Sequence, residues 1–190
     1  MKKAIFLDRD GVLIEETGEY ISKKQDMKII SVTETLKKLK SKGYLLVVVT
    51  NQAAIARGII TEEDLKEMNN FLNECLEKTI DAFYYCPHHP EVYPDIPEYA
   101  KKYRVKCNCR KPLPGLLLKA SKEMNIDLKK SYMIGDMISD IIAGKSAGCK
   151  TIMIESINNK KIISSHIPID VNTRADFYVK NLNEVLKYIN

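Results

Sequence analysis

The 190-residue chain carries 30 Lys and Arg against 25 Asp and Glu, a formal net charge of +5, and 45% of its residues are hydrophobic. That length suits one domain with a sizeable core, so residues 1–190 are expected to fold as a single unit. The lysines are scattered among acids without forming a tract, no apolar run approaches the ~18–20 residues of a membrane span, and the opening MKKAIFLD is too short in apolar content for a secretion signal; a cytoplasmic protein without membrane or nucleic-acid partners is expected.

In chain order, KKAIFLD predicts a strand whose apolar run, Ala4 to Leu7, stops at Asp8, with Asp10 and Gly11 following. SVTETLKKLKSKG predicts a helix, with Ser31 and Glu34 as a capping box and Gly43 as its stop. YLLVVVT, Tyr44 to Thr50, is the continuous apolar run of a strand buried on both faces. TEEDLKEMNNFLNECLEK predicts a long helix opened by Thr61, with Leu65, Met68, Leu72, Cys75 and Leu76 at core-facing spacing. IDAFYYC is a third strand. Beyond it, PHHPEVYPDIPEYAKKYRVKCNCRKP exceeds the ~12–15 residues usual for a structureless loop, so something must order it or use it. PLPGLLLKASKEMNI then predicts a helix, SYMIGD a strand, DIIAGKSAGC a helix ending near Gly148, KTIMIE and ADFYV two more strands, and LNEVLKYI a closing helix. No internal repeat interrupts this order.

Strands alternating with helices predict a mostly parallel sheet covered on both faces, with ligands outside the carboxyl ends of the strands. Three strands end there on polar residues: Asp8, then Thr50 and Asn51, then Gly135 and Asp136. Asp8, Asp10 and Asp136 would repel one another unless a cation sat among them, and an oxygen-rich cluster suits Mg²⁺. Phosphate-monoester hydrolysis needs accelerations of up to ~10²¹, beyond what one general base supplies. A carboxylate nucleophile, Asp8, with Asp10 as acid and then base, splits the reaction into two steps, and Lys111 and Thr50 would neutralise or hydrogen-bond the phosphoryl oxygens.

Five cysteines, an odd number, argue against a disulfide framework. Cys86-x-His88 and Cys107-x-Cys109 instead form a soft-ligand set of four that suits closed tetrahedral Zn²⁺, with His89 an alternative to His88. Such a metal would order the long loop. Cys75 and Cys149 read as packing residues.

DRDGV (8–12), VVVTN (47–51), RKPLPG (110–115) and GDMISD (135–140) resemble the four ordered motifs of the haloacid dehalogenase superfamily. TNQAAIARG, YYCPHHPE and CNCRKPLPG narrow the resemblance to its group of heptose-bisphosphate and histidinol-phosphate phosphatases. The resemblance implies an α/β, Rossmann-like three-layer sandwich with little or no cap and a zinc-bound loop. It implies Asp8 as nucleophile, Asp10 as general acid/base and Thr50 and Lys111 on the transferring phosphoryl group. Mg²⁺ would be held by Asp8, Asp136 and the backbone carbonyl of Asp10, with Asp140 a structural acid. Substrate residues would be Glu16, Thr17, Gly18 and Tyr20 of the Glu16 to Tyr20 flap, together with Asn51, Gln52, Ala53 and Arg110. Arg57 would hold a second phosphate or pair with a nearby acid. The implied substrate is a small phosphorylated sugar, turned over by a monomer, with histidinol phosphate as the alternative. A polynucleotide 3′-phosphatase would need a basic groove that the scattered lysines do not supply, and a non-catalytic zinc module would have no use for the Asp8–Asp10 pair.

Overall fold

Alternation along the first strand dictates the layering. In β1 (Lys3–Leu7) Ala4 and Phe6 join one apolar cluster and Ile5 and Leu7 another, and none of the four is accessible to solvent. A strand apolar on both faces has to be covered twice. β2 (Tyr44–Asn51) repeats the division, Leu46 and Val48 against Val47 and Val49. The computed structural model describes residues 1–91, 95–155 and 173–189, so positions 92–94 of the expected long loop lie outside the described residues.

The sheet is completed by β3 (Ala82–Cys86), β4 (Tyr132–Gly135), β5 (Lys150–Ile154) and β6 (Phe177–Val179). Its order is β3-β2-β1-β4-β5-β6, and every pairing is parallel. One layer is formed by α1 (Thr33–Ser41) and α3 (Glu62–Cys75), whose Leu36, Leu39, Leu65, Met68 and Leu72 pack on Ile5 and Leu7. The other contains α5 (Gly115–Met124) and α6 (Ile138–Ala147), with Leu116, Leu117, Ala120 and Ala143 against Ala4 and Phe6. The expected three-layer sandwich is therefore present. Strand order reverses between β1 and β4, where Asp8 N–H donates to the Ile134 carbonyl at 3.0 Å. Ligand crevices in such sheets form at this switch.

Several local expectations need correction. Ser31 does not cap α1. The helix starts at Thr33 behind Val32, whose side chain is buried and fixes where the chain enters the helix, and Glu34 pairs with Lys37 at 2.9 Å instead of reaching back. Cys75 is exposed, because the buried stripe of α3 runs through Leu65, Met68, Asn69 and Leu72 and passes to Leu76. The closing segment is a 3₁₀ helix, Leu182–Lys187, since burial of Leu182 and Val185 suits three residues per turn. Two short α-helices were not foreseen, α2 (Ala53–Ala56) and α4 (Glu98–Lys101) within the long loop, nor were the 3₁₀ turns Lys24–Asp26 and Leu128–Lys130.

Thr61 does cap α3: its hydroxyl accepts from Asp64 N–H at 3.1 Å, and Asp64 accepts from Thr61 N–H at 2.7 Å. Thr61→Ala should therefore lower the free energy of urea unfolding by about 1 kcal/mol. Ser31→Ala should stay within about 0.5 kcal/mol of the parent. Equal losses at both positions would contradict this assignment of caps.

Candidate active site

Three buried acids converge at the switch point. Asp8 follows β1, Asp136 follows β4, and Asp140 lies in the first turn of α6; one carboxylate oxygen from each lies within 4.8 Å of the others. One ammonium sits among them: Lys111 Nζ lies 2.9 Å from Asp8 Oδ1 and 2.6 Å from Asp140 Oδ1, and donates to the Val49 carbonyl at 2.8 Å. Asp140 Oδ2 accepts from Met137 N–H at 3.1 Å, so its carboxylate is committed to scaffold. Asp136 Oδ1 is buried with no hydrogen-bond partner among the described residues. Glycine at position 11, with φ +82°, is required here, because a Cβ would come within 2.2 Å of Asp136 Oδ2.

Three carboxylates against one ammonium leave two negative charges. Burial pushes the Asp8 carboxyl up to about 7, against the pull of Lys111 and with Asp140 and Asp10 adding repulsion. Burial, then Asp8 and Asp140, raise Asp136 to about 8. Burial alone would lower the Lys111 ammonium, but Asp140 and Asp8 outweigh it and hold the proton on firmly. An orphaned carboxylate oxygen beside a nucleophile-like aspartate, in a cluster of net charge −2, fits a hard divalent cation held by Asp8 and Asp136.

Asp10 belongs to a separate network. Arg9, absent from the sequence-derived site, pairs with both its carboxylate oxygens, through Nε at 3.1 Å and Nη2 at 3.0 Å. Gln52 Nε2 donates to Asp10 Oδ2 at 2.9 Å, and Thr50 Oγ1 lies 3.4 Å from the same oxygen. Asn51 forms a two-way bridge to the Lys111 backbone, donating to its carbonyl and accepting from its N–H, each at 3.0 Å. Its side chain thus fastens the Lys111 segment to the end of β2.

These residues open into a cavity of about 570 Å³, also lined by Glu16, Gly18, Tyr20, Ala53 and Arg110. Thr17 and Arg57, expected in the substrate pocket, do not line it. Arg57 pairs with Glu91 at 3.7 Å and lies 5.1 Å from the Tyr20 ring, which links the flap to the long loop. Sequence reasoning missed Met137 and Ser139, two lining residues just past Asp136. Their place directly after a strand-end acid was the available signal.

The second cluster has the expected membership. Cys109 Sγ is 3.2 Å from Cys86 Sγ and 3.4 Å from Cys107 Sγ, Cys86 and Cys107 are 3.5 Å apart, and His88 Nδ1 is 3.3 Å from Cys109 and 3.7 Å from Cys86. A tetrahedral ion with bonds of ~2.0–2.3 Å requires donor separations of roughly 3.5 Å, so the four atoms fit one metal ion. His88, not His89, is in this set; His89 Nδ1 accepts from Glu91 N–H. Arg110 Nη1 donates to the His88 carbonyl at 3.3 Å, tying the cavity wall to the cluster.

A family model described as "HAD-hyrolase-like" matches residues 108–185. The D-glycero-beta-D-manno-heptose-1,7-bisphosphate 7-phosphatase of Haemophilus ducreyi is 38% identical over 194 residues, covering 100% of this chain and 99% of its own. The protein of the same name from Pasteurella multocida is 39% identical, covering 100% and 97%. The chain belongs to the haloacid dehalogenase-like phosphatases. The crystal structure of D,D-heptose 1.7-bisphosphate phosphatase from B. bronchiseptica, complexed with magnesium and phosphate, superimposes with a TM-score of 0.79 at 25% identity, covering 98% of this chain and 97% of that one.

In this haloacid dehalogenase-like site the raised acids set a pH dependence. Asp8 and Asp136 in the fold sit above the ordinary 3.8, so without a cation the native state keeps protons that the unfolded chain has released. That contribution to stability is complete below about pH 4 and is lost as pH rises through about 7 to 8. The melting temperature of metal-free protein should fall between about pH 6 and pH 8.5, and millimolar Mg²⁺ should raise it more at the upper end. A Mg²⁺ shift independent of pH would contradict cation binding at these acids.

Proposed function

We propose that this chain is a magnesium-dependent phosphatase that removes the C7 phosphate of D-glycero-D-manno-heptose 1,7-bisphosphate through an aspartyl phosphate. One observation carries the reading: Asp8 takes its hydrogen bonds on Oδ1, from Arg9 N–H at 2.7 Å and Lys111 Nζ at 2.9 Å. Neither bond uses its second oxygen, and Asp8 lines the cavity together with Asp136. The names of the relatives, which match the chain from end to end, supply the substrate.

In this reading Asp8 attacks phosphorus, the bond from phosphorus to the sugar oxygen breaks, and Asp10 gives that oxygen its proton. Asp10 then takes a proton from water, which attacks the acyl phosphate and frees inorganic phosphate and Asp8. Lys111 and Thr50 stabilise the phosphoryl oxygens. Bound by Asp8, Asp136 and the Asp10 carbonyl, Mg²⁺ supplies charge neutralisation at the same oxygens. Zn²⁺ at Cys86, His88, Cys107 and Cys109 holds the segment that delivers Arg110 and Lys111.

Arg110 lines the cavity one residue before Lys111 and offers a second cation to a second anionic group. Histidinol phosphate carries one phosphate and leaves that cation unused, which favours a bisphosphate. We assign the chain to the cytoplasm as a single-domain monomer; none of its five cysteines is joined in a disulfide, which suits a reducing compartment. Among the described residues no helix is long and apolar enough to cross a membrane.

A turnover screen of phosphorylated metabolites with Mg²⁺ should rank the heptose bisphosphate first, and strong preference for histidinol phosphate would overturn the assignment. Asp8→Asn should abolish turnover while leaving the circular dichroism spectrum intact. Arg110→Ala should reduce the preference for bisphosphate over monophosphate by about ten- to a hundredfold while slowing a generic aryl phosphate far less. Purified protein should contain about one zinc per chain by elemental analysis, and Cys107→Ser should lose it.

A further inference from the structure

We propose that Arg9 is the positioning residue for Asp10, and that Asn69 and Gln52 hold Arg9 to that task; the inference rests on the phosphatase reading above. Sequence neighbours seldom face each other, and an arginine between two acids on a loop would ordinarily be solvated. Arg9 is instead 3% exposed. A buried guanidinium is tolerated only when its donors are paired, and here the pairing is directional. Nε and Nη2 form a fork on the two oxygens of Asp10. Nη2 also donates to Gln52 Oε1 at 3.0 Å, while Gln52 Nε2 donates to Asp10, so the three side chains close a ring.

The far anchor is Asn69. It occupies the core-facing stripe of α3 among Leu65, Met68 and Leu72, where an amide is costly without a partner, and it is 4% exposed. Its side-chain Oδ1 accepts from Arg9 Nη1 at 3.4 Å. Asn69 therefore transmits the rigidity of α3, through one guanidinium, to a carboxylate at the mouth of the sheet. A planar fork bonded to both oxygens blocks rotation of the Asp10 carboxylate, which a lysine ammonium at the same place would not do. General acid catalysis requires an oxygen within about 2.6–3.2 Å of the leaving atom, and a displacement of about 1 Å costs on the order of a hundredfold.

The test uses two substrates that differ in their need for an acid. The leaving oxygen of a sugar phosphate must be protonated as it departs, whereas 4-nitrophenolate leaves without help. In Arg9→Met, kcat/KM for the sugar bisphosphate should fall about a hundredfold, and that for 4-nitrophenyl phosphate by less than about fivefold. Asn69→Leu, which keeps Arg9 and Asp10, should show the same asymmetry at smaller size. Arg9→Lys should not restore the lost selectivity. In an Asp10→Asn background, Arg9→Met should cost nothing further, since both changes remove one function.

Equal losses on the two substrates, full rescue by lysine, or additive losses in the double variant would overturn the proposal. Should Arg9→Met fail to fold, Arg9→Lys and Asn69→Leu carry the same ratio, with circular dichroism as the check on structure. Parent protein inactive on every phosphate would instead overturn the phosphatase reading and this inference with it. An active parent with symmetric losses overturns only the role of Arg9.

Discussion

The contact on which the site depends is the buried chain Asp8–Lys111–Asp140. Each member is expensive to bury alone, and together they remain short of neutrality once Asp136 is counted. Lys111 joins the end of β1 to the start of α6 and, through the Val49 carbonyl, to β2. Three elements of the switch point are thus registered on one ammonium. The remaining negative charge is of the sign and size that suits a divalent cation. Stability and binding at this place oppose each other: what the empty cluster loses by self-repulsion, it regains when a cation enters.

Lys111 is held in turn by its own backbone. Asn51 bonds both its N–H and its carbonyl, and Cys109, two residues earlier, belongs to the Cys/His set. The Lys111 ammonium therefore stands between a hydrogen-bonded bridge from β2 and a Cys/His knot that begins at the end of β3. The backbone N–H of Gln52 donates to the Cys86 carbonyl at 2.8 Å, so the loop carrying Gln52 and the knot also share a direct bond. Gln52 reaches Asp10, and through it the two networks of the site meet.

Much of this was legible in the sequence because it reduces to residue type at the end of an element. Asp8, Thr50 and Asp136 could be placed once the strands were recognised, and the Cys/His set follows from spacing in a segment too long to be bare loop. What escaped depends on tertiary partners. Arg9 reads as a surface charge until Asn69 is seen on the buried side of α3, and Asn69 reads as a flaw in an apolar stripe until Arg9 is seen. Asn51, expected at the substrate, lines the cavity, but the bridge its amide makes to the Lys111 backbone was not legible without the fold. Ser31 had the right neighbour in Glu34, yet burial of Val32 decided where α1 starts. Cys75 and Leu76 both lie close to the right phase, and only one place in the core was available.

The knot has a consequence for how the protein can change over generations. Its members come as two tight pairs, Cys86 with His88 and Cys107 with Cys109, separated by a segment that includes α4 and reaches the flap through Glu91 and Arg57. Closing such a segment costs only about 0.6 kcal/mol more for each doubling of its length. The length of the segment is therefore cheap to change, whereas Ala100 and Tyr103 are buried and Tyr103 bonds Glu62, so those positions are held along with the ends. The one residue between Cys109 and Lys111 has no such freedom, because a shift there would pull the ammonium from Asp8 and Asp140. Lineages can change the length of the segment between the pairs without moving Lys111 from its carboxylates.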